Sequence, residues 1–219
     1  MSRKELARRY VLFIISLFFS GLGVAFTKHG ELGVSPISSV ANVMYIKFPM
    51  LSMGNWLIIW NCILIVGQIL LLRKKFQLIQ LLQIPLSVLF GYFTDFGLFL
   101  VRPIPVNSYP ARLLMVIIGI LILGFGISLS VIANVIMNSG EAFVKALADN
   151  LDKEFGNVKL AFDISCVVIA VALSLLLFDF KVMGTREGTV ITAILTGTVV
   201  NIYIRKIRLP IIRILTSGT

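Results

Sequence analysis

Six apolar runs dominate this sequence, and each is long enough to cross a lipid bilayer as a helix. They cover roughly residues 10–27, 55–72, 77–101, 112–135, 157–178 and 187–204. A bilayer core about 30 Å thick needs about 20 residues of helix. Of the 219 residues, 58% are hydrophobic and 14% are charged, whereas about 25% of a soluble domain is charged. The sequence therefore predicts an all-α polytopic membrane protein, and it disfavours a soluble enzyme, a disordered chain or a disulfide scaffold.

The net charge of +10 is concentrated in clusters at the ends of these runs. The three main clusters are Arg3, Lys4, Arg8 and Arg9; Arg73, Lys74 and Lys75; and Arg205, Lys206, Arg208 and Arg213. With six spans, all three clusters fall on one side of the membrane, and cytoplasmic loops carry such an excess. We therefore expect a multi-pass membrane protein with both termini cytoplasmic. The first run lacks a small-residue cleavage pattern, so we expect it to be retained.

Two further apolar segments, residues 35–48 and 138–151, are too short and too polar to span. In the first, Ser35 precedes Pro36, and proline suits the first position of a helix. In the second, Asn138 and Ser139 precede Glu141, which places an acid in the first turn. Each segment is predicted to be a short helix. Both a re-entrant position inside the membrane and a position on its surface remain open.

The chain divides into two halves, residues 1–104 and 105–219, that resemble each other. Shifts of 102 to 106 residues align Gly21 and Gly23 with Gly124 and Gly126, Gly54 with Gly156, Asn61 with Asp163, Gly91 with Gly197, and Asp95 with Asn201. Each half would hold three spanning helices and one short helix in the same order. Because three is odd, the halves would have opposite orientations, which is typical of secondary transporters. The alternative is that glycine matches arise by chance in apolar sequence.

Several short motifs resemble those of the YczE/YitT group of bacterial integral membrane proteins. They are Leu32-Gly-Val-Ser-Pro36 after a Gly-x-Gly helix, Phe162-Asp-Ile164, and Met183-Gly-Thr-Arg-Glu-Gly-Thr189 running into Ala193-Ile-Leu-Thr-Gly197. The resemblance covers about residues 10–205, and the Arg186-Glu187 pair departs from the usual Gly-x-Gly-Thr pattern. The group is regarded as one of transporters, and some members are encoded beside regulators with a domain that binds pyridoxal phosphate. The resemblance therefore implies a vitamin-like or amine-containing substrate, and it implies a location in the bacterial cytoplasmic (inner) membrane.

Polar side chains within apolar runs are costly in lipid, so they are the natural candidates for a substrate site. The candidates are Ser35, Ser38, Ser39, Asn138, Ser139 and Glu141 on the short helices, and Asn61, Gln83, Asp163, Arg186, Glu187 and Thr189 elsewhere. Free N–H groups at the start of each short helix suit an anionic group. The alternatives are ordinary helix caps and structural hydrogen bonds. Asp95 and Asn201 lie nearer helix ends and are expected to be structural.

Three sharper expectations concern the spanning helices. We hypothesise that Arg186 holds an anionic substrate group while Asp163 or Glu187 senses a proton or a cation, because Arg186 and Glu187 should point to different faces. Thr196 and Gly197 lie on a small-residue face that predicts a close helix contact. Pro85 is expected to kink or loosen the third spanning helix.

The leading function is a small-molecule transporter working by alternating access. The alternatives are a substrate-binding membrane subunit that needs an energising partner, and a membrane regulator or scaffold. No enzyme motif is present, and the two cysteines and one histidine make no credible metal site, so we expect neither catalysis nor a cofactor. Expected partners are the lipid bilayer and a small-molecule substrate, with a homodimer or an energising subunit left open. Nucleic acid is not expected, because the basic residues form no surface stripe.

Overall fold

A computed structural model of the protein describes residues 2–216, which fold into eight α-helices with no strand among them. Their bounds are α1 Arg3–His29, α2 Pro36–Lys47, α3 Met53–Leu72, α4 Gln83–Val101, α5 Tyr109–Ala133, α6 Ser139–Leu151, α7 Phe155–Leu177 and α8 Glu187–Thr216. Serine side chains cap α1, α3 and α5 by accepting a backbone N–H three residues on. Six segments of this part of the chain are long and apolar enough to span a membrane, and α2 and α6 are the two short helices.

The helix ends differ from the sequence expectation at three places. The first helix begins at Arg3 and the last continues to Thr216, so both helices extend beyond their apolar runs into the basic clusters. Of the two effects expected of Pro85, a kink within the third spanning helix is not formed, but the start of that span is not α-helical. Residues Leu78–Leu82 form a 3-10 helix and α4 begins at Gln83, so Pro85 lies in the first turn of α4. A first-turn residue has no intrahelical N–H bond to lose.

The helices pack around a central pair, α1 and α5. Helix α4 packs against α1, and α8 packs against α5. Both short helices lie between α3 and α7, since α2 and α6 each contact both of them. A large apolar cluster joins α1, α2, α3, α4 and α5 and includes Phe13, Leu57, Phe90 and Leu123. The centre of the molecule is therefore built from elements of both halves of the chain.

Helices α1 and α5 cross closely because glycines leave room for backbone contact. A Cβ on Gly23 would lie 2.5 Å from the backbone N of Leu123, and a Cβ on Gly126 would lie 2.6 Å from the backbone N of Ser20. Neither position tolerates a side chain without moving a helix. In membranes, small residues allow such close packing.

The glycines two residues earlier in α1 and α5 contact the outer helices α4 and α8. A Cβ on Gly21 would lie 2.9 Å from the backbone N of Thr94 in α4, and one on Gly124 would lie 2.5 Å from Cγ1 of Val199 in α8. Each Gly-x-Gly segment thus allows two close contacts, one between α1 and α5 and one with an outer helix.

Helices α7 and α8 do not pack along their lengths, although the equivalent pair α3 and α4 does. A Cβ on Gly197 would meet no atom within 4 Å. The expected close helix contact at Gly197 is therefore wrong for this structure. Thr192 is buried and Oγ1 of Thr196 is covered, so the threonines of this face are packed and Gly197 alone stays open.

The two ends of the described chain meet at one end of the bundle. Nη1 of Arg8 in α1 donates to the backbone O of Ile214, 3.1 Å away in α8. We call this end the termini end. Helix α7 starts near it, directly after α6, and α3 starts at the opposite end. The charged residues of the last cluster, up to Arg213, lie within α8, and residues 217–219 lie outside the described part of the chain.

Candidate substrate site

The first turns of the two short helices meet each other. A Cβ on Gly140 of α6 would lie 2.9 Å from Cδ1 of Ile37 in α2. Both helices start as their sequences predict: Ser35 and Pro36 begin α2, and Oδ1 of Asn138 accepts the N–H of Ser139, 3.0 Å away. The N-terminal N–H groups of both helices therefore converge on one region, with their positive dipole ends together.

This meeting point lies at the middle of α7. Oγ of Ser39 donates to the backbone O of Cys166, 3.4 Å away, and Cys166 is 11 residues from each end of the helix Phe155–Leu177. Helix α2 ends beside the far end of α7, where Nζ of Lys47 donates to the O of Leu177 at 2.5 Å. Three residues separate the end of α6 from the start of α7. The short helices thus run from the middle of the bundle toward opposite ends.

Four of the predicted serines lie at this point. Ser38, Ser39 and Ser139 are buried, and Oγ of Ser35 donates to Oγ of Ser38 at 2.9 Å. Ser39 also donates to the O of Pro36 at 2.5 Å. The hydroxyls are thus held within the protein rather than exposed on its surface.

A buried polar cluster surrounds the start of α6. Gln68 and Gln83 exchange two amide hydrogen bonds of 3.0 and 3.1 Å, and Nε2 of Gln68 also donates to the O of Ser139 at 3.1 Å. The hydroxyls of Ser87 and Ser139 lie 2.9 Å apart. All four side chains are almost completely buried. Sequence reasoning found Gln83 and Ser139 but missed Gln68 and Ser87. The four-residue step from Gln83 to Ser87, which puts both on one helix face, was the available signal.

A charged cluster lies next to it, where α6 faces α7. Nζ of Lys159 binds both carboxylate oxygens of Asp163 at 2.5 Å. Glu141, in the first turn of α6, is close enough to interact with both charges. Burial raises the pKa of the Glu141 carboxyl above its ordinary value, Lys159 opposes this rise, and Asp163 adds to it. Lys159 was missed as a site residue, although its four-residue spacing to Asp163 signals an ion pair.

Arg186 and Glu187 lie apart from these clusters. Their side chains are exposed and pair with each other at 3.1 Å. The expectation that they would point apart is wrong, because α8 begins at Glu187 and Arg186 precedes the helix. Asp163 pairs with Lys159 instead, so neither charge of the Arg186 and Glu187 pair contacts Asp163 directly in the described structure.

Thr189 and Asn61 are both buried but occupy different surroundings. Thr189 packs against Gly33 in the loop before α2, and its Oγ1 has no hydrogen-bond partner in the described structure. Nearby in sequence, the O of Gly184 accepts Nδ2 of Asn42 at 2.7 Å. Asn61 lies on the buried face of α3, between Leu57 and Leu64. Of the twelve predicted residues, those on the short helices, together with Gln83 and Asp163, form the central region.

An apolar groove of about 670 Å³ lies between α3, α6 and α7. Trp60, Leu64, Phe143 and Phe162 line it, with Lys153 and Asn157 near the start of α7. A polar solute would find few partners there. We therefore take the convergent short-helix starts, and not this groove, as the candidate substrate site.

Comparison with known proteins gives one family and two relatives. A family model described as a family of unknown function (DUF6198) matches residues 7–205. The chain is 24% identical to the uncharacterized membrane protein YczE of Bacillus subtilis (strain 168), over 90% of this chain and 86% of that protein. It is 29% identical to the uncharacterized protein YyaS of the same organism, over 54% of this chain and 57% of that one. No solved structure matches.

Proposed function

Because the chain belongs to the DUF6198 family and resembles a membrane protein over most of its length, we propose that it is a small-molecule membrane transporter working by alternating access. Its two halves would be inverted repeats, residues 1–104 and 105–219, that move against each other around a central site. The protein would bind and move its solute without converting it chemically.

One observation carries this proposal: the first turns of α2 and α6 meet at the middle of α7 through Ile37 and Gly140. Secondary transporters built from inverted repeats hold their substrates near the membrane midplane, at the N-termini of interrupted or half-length helices. If α7 spans the bilayer, both short helices are re-entrant and enter from opposite sides. A surface position would instead leave their starts at the ends of α7.

The helix contacts support the inverted repeat. A shift of 103 residues carries the contact of Gly23 with Leu123 onto the contact of Gly126 with Ser20, with the two halves exchanged. It also carries Gly21 onto Gly124. The partners of these two glycines, Phe93 with Thr94 and Val199 with Val200, are related by a shift of 106. This exchange of contacts supports an inverted repeat over the alternative of chance glycine matches.

The chemistry of the site favours a small solute with an anionic group and an amine. Converging helix starts stabilise a carboxylate or phosphate through free N–H groups. An amine can approach Glu141 and Asp163, which together carry one more charge than Lys159 neutralises when both are ionised. Arg186 and Glu187, which are exposed, would act at the entrance rather than at the bound solute.

We further propose that both termini are cytoplasmic in the bacterial inner membrane. The basic clusters at both chain ends lie at the termini end of the bundle, and Arg73, Lys74 and Lys75 follow α3, which starts at the opposite end. An excess of basic residues on one side favours the cytoplasmic side. A substrate-binding subunit that relies on an energising partner is the second candidate, because the same central site would serve it. A homodimer is compatible with either.

Reconstitution tests the proposal. Purified protein is screened by thermal unfolding against amino acids, amines, carboxylates and vitamins, and stabilising solutes are then tested by radiolabelled counterflow in proteoliposomes. We expect at least one stabilising solute to be taken up, and Ser139→Ala to weaken its binding. Binding without uptake would point to the capture subunit. Failure of every solute to bind or to be taken up would favour a regulator or scaffold.

A further inference from the structure

The contact between α3 and α4 is closed by two glycines and one carboxylate. A Cβ on Gly91 would lie 2.7 Å from the O of Gly54, so only glycine lets the two backbones approach this closely. Oδ1 of Asp95 accepts a hydrogen bond from the N–H of Gly54 at 2.8 Å, and Oδ2 accepts one from the hydroxyl of Ser52 at 2.5 Å. Ser52 is the N-cap of α3. A side chain of α4 therefore seals the start of α3, which is the structural role expected of Asp95.

The equivalent contact in the second half is open. The same shifts carry Ser52 to Glu154, Gly54 to Gly156, Gly91 to Gly197 and Asp95 to Asn201. Glu154 is the N-cap of α7 but makes no side-chain cap. Neither Gly156 nor Gly197 would have an atom within 4 Å of an added Cβ. All four of these residues are exposed.

The second set of residues can form the same contact with donor and acceptor exchanged. In the closed pair, the α4 carboxylate accepts from a serine hydroxyl and a backbone N–H. In the open pair, Oδ1 of Asn201 can accept the N–H of Gly156, while its Nδ2 can donate to the Glu154 carboxylate. Glycine at both close-approach positions and complementary polar groups are therefore present on α7 and α8. An uncovered asparagine in a spanning helix is costly in lipid, which favours a partner for this face.

We propose that α7 closes on α8 through Gly156, Gly197 and Asn201 when α3 and α4 separate, so that the two contacts are alternate gates of one site. This inference rests on the proposed function and names the moving surfaces. The structure then corresponds to the state in which the contact between α3 and α4 is closed and the contact between α7 and α8 is open. The occupant of the open α8 face is the start of α7 in the same chain.

Disulfide trapping tests the gates in the full-length protein in membranes. Both native cysteines, Cys62 and Cys166, are replaced by alanine, and a protease site is inserted in the loop between α7 and α8. The test pair is Glu154→Cys with Asn201→Cys. A disulfide needs Cα atoms closer than about 7 Å, so it forms only if α7 reaches α8. We expect the oxidised test pair to hold the two fragments together after cleavage.

Two matched pairs and one further variant complete the design. Ser52→Cys with Asp95→Cys, with the protease site between α3 and α4, should cross-link, because α3 and α4 are in contact at these residues in the structure. Glu154→Cys with Tyr203→Cys should not, because Tyr203 packs edge-on against Phe125 of α5, with ring centroids 5.4 Å apart. Adding Gly197→Leu to the test pair should abolish its cross-link, since the new side chain would hold the helices apart.

Two outcomes would overturn the gate proposal. The first is cross-linking at Ser52 and Asp95 but none at Glu154 and Asn201. The second is a dimer-sized product from the test pair, which would mean that a second copy covers the α8 face. Trapping reports closure and not solute movement. If the test pair cross-links but no solute is taken up, the gate proposal holds and the transporter proposal is rejected. If a solute is taken up but the test pair does not cross-link, the transporter proposal holds and the gate proposal is rejected.

Discussion

Ile37 and Gly140 touch across the centre of the protein, although 103 residues of sequence separate them. A Cβ on Gly140 would lie 2.9 Å from Cδ1 of Ile37. Because this contact joins the starts of the two short helices, it defines the point where backbone N–H groups from both halves of the chain converge. The proposed substrate site depends on this contact.

The contact predicts an inter-half disulfide. Ile37→Cys with Gly140→Cys, in a background without Cys62 and Cys166, should oxidise, because Cγ2 of Ile37, which is bonded to Cβ as the new sulfur would be, lies 3.6 Å from a Cβ on Gly140. Cleavage at a protease site inserted between α4 and α5 should leave the halves joined under non-reducing conditions. Separate fragments would contradict the meeting of the short helices. Ile37→Cys with Asp152→Cys, at the distant end of α6, is the control.

The glycine contacts predict opposite effects at two helical positions. Gly23→Ala should lower the melting temperature, because the new Cβ would meet the backbone of Leu123 at 2.5 Å. Overpacking of this kind costs about 1–3 kcal/mol, and each kcal/mol is worth about 2–4 °C in a chain of this size. Gly197→Ala should not destabilise, because it meets no atom within 4 Å and alanine favours helix. Equal losses in both variants would contradict the helix arrangement.

The amide pair of Gln68 and Gln83 predicts strong coupling. Either Gln68→Leu or Gln83→Leu leaves a buried amide without its partner, which costs about 1–3 kcal/mol. The double variant removes both amides, so its loss of stability should be smaller than the sum of the losses in the two single variants. Thermal unfolding of the four proteins in detergent measures the coupling. Strictly additive losses would show that the two amides act independently.

The Glu141 carboxyl predicts a pH dependence of stability. Its pKa is raised, so the folded protein holds this proton more tightly than the unfolded chain does. The resulting stabilisation is complete at low pH and is lost as the pH rises from the ordinary carboxyl pKa through the raised value. Glu141→Gln should therefore have the melting temperature of the wild type at acidic pH and a higher melting temperature than the wild type at neutral pH. The exposed Asp152→Asn is the control, and parallel curves for wild type and Glu141→Gln would contradict the prediction.

Local patterns predicted the helices and the starts of the short ones, because Pro36 at the first helical position and the Asn138 cap are signals that act within a few residues. They also predicted Gln83 and Asp163, which are polar groups inside apolar runs. Gln68 was missed because one glutamine in an apolar helix gives no periodic signal. The gap between α7 and α8 could not be predicted, since glycine at 156 and 197 permits a close contact without requiring one. Which contact is closed depends on the packing of the whole bundle.

Accessibility of the central serine Ser38 tests the main claim most directly, since a transporter site must open to both sides of the membrane. Ser38→Cys, in the background without native cysteines, is treated with a membrane-impermeant maleimide in right-side-out and in inside-out vesicles. Ser38 is buried beside Ser35 at the start of α2, so labelling requires the site to open. Alternating access predicts labelling in both preparations, slowed by a bound solute. Labelling from one side alone, or from neither, would contradict alternating access.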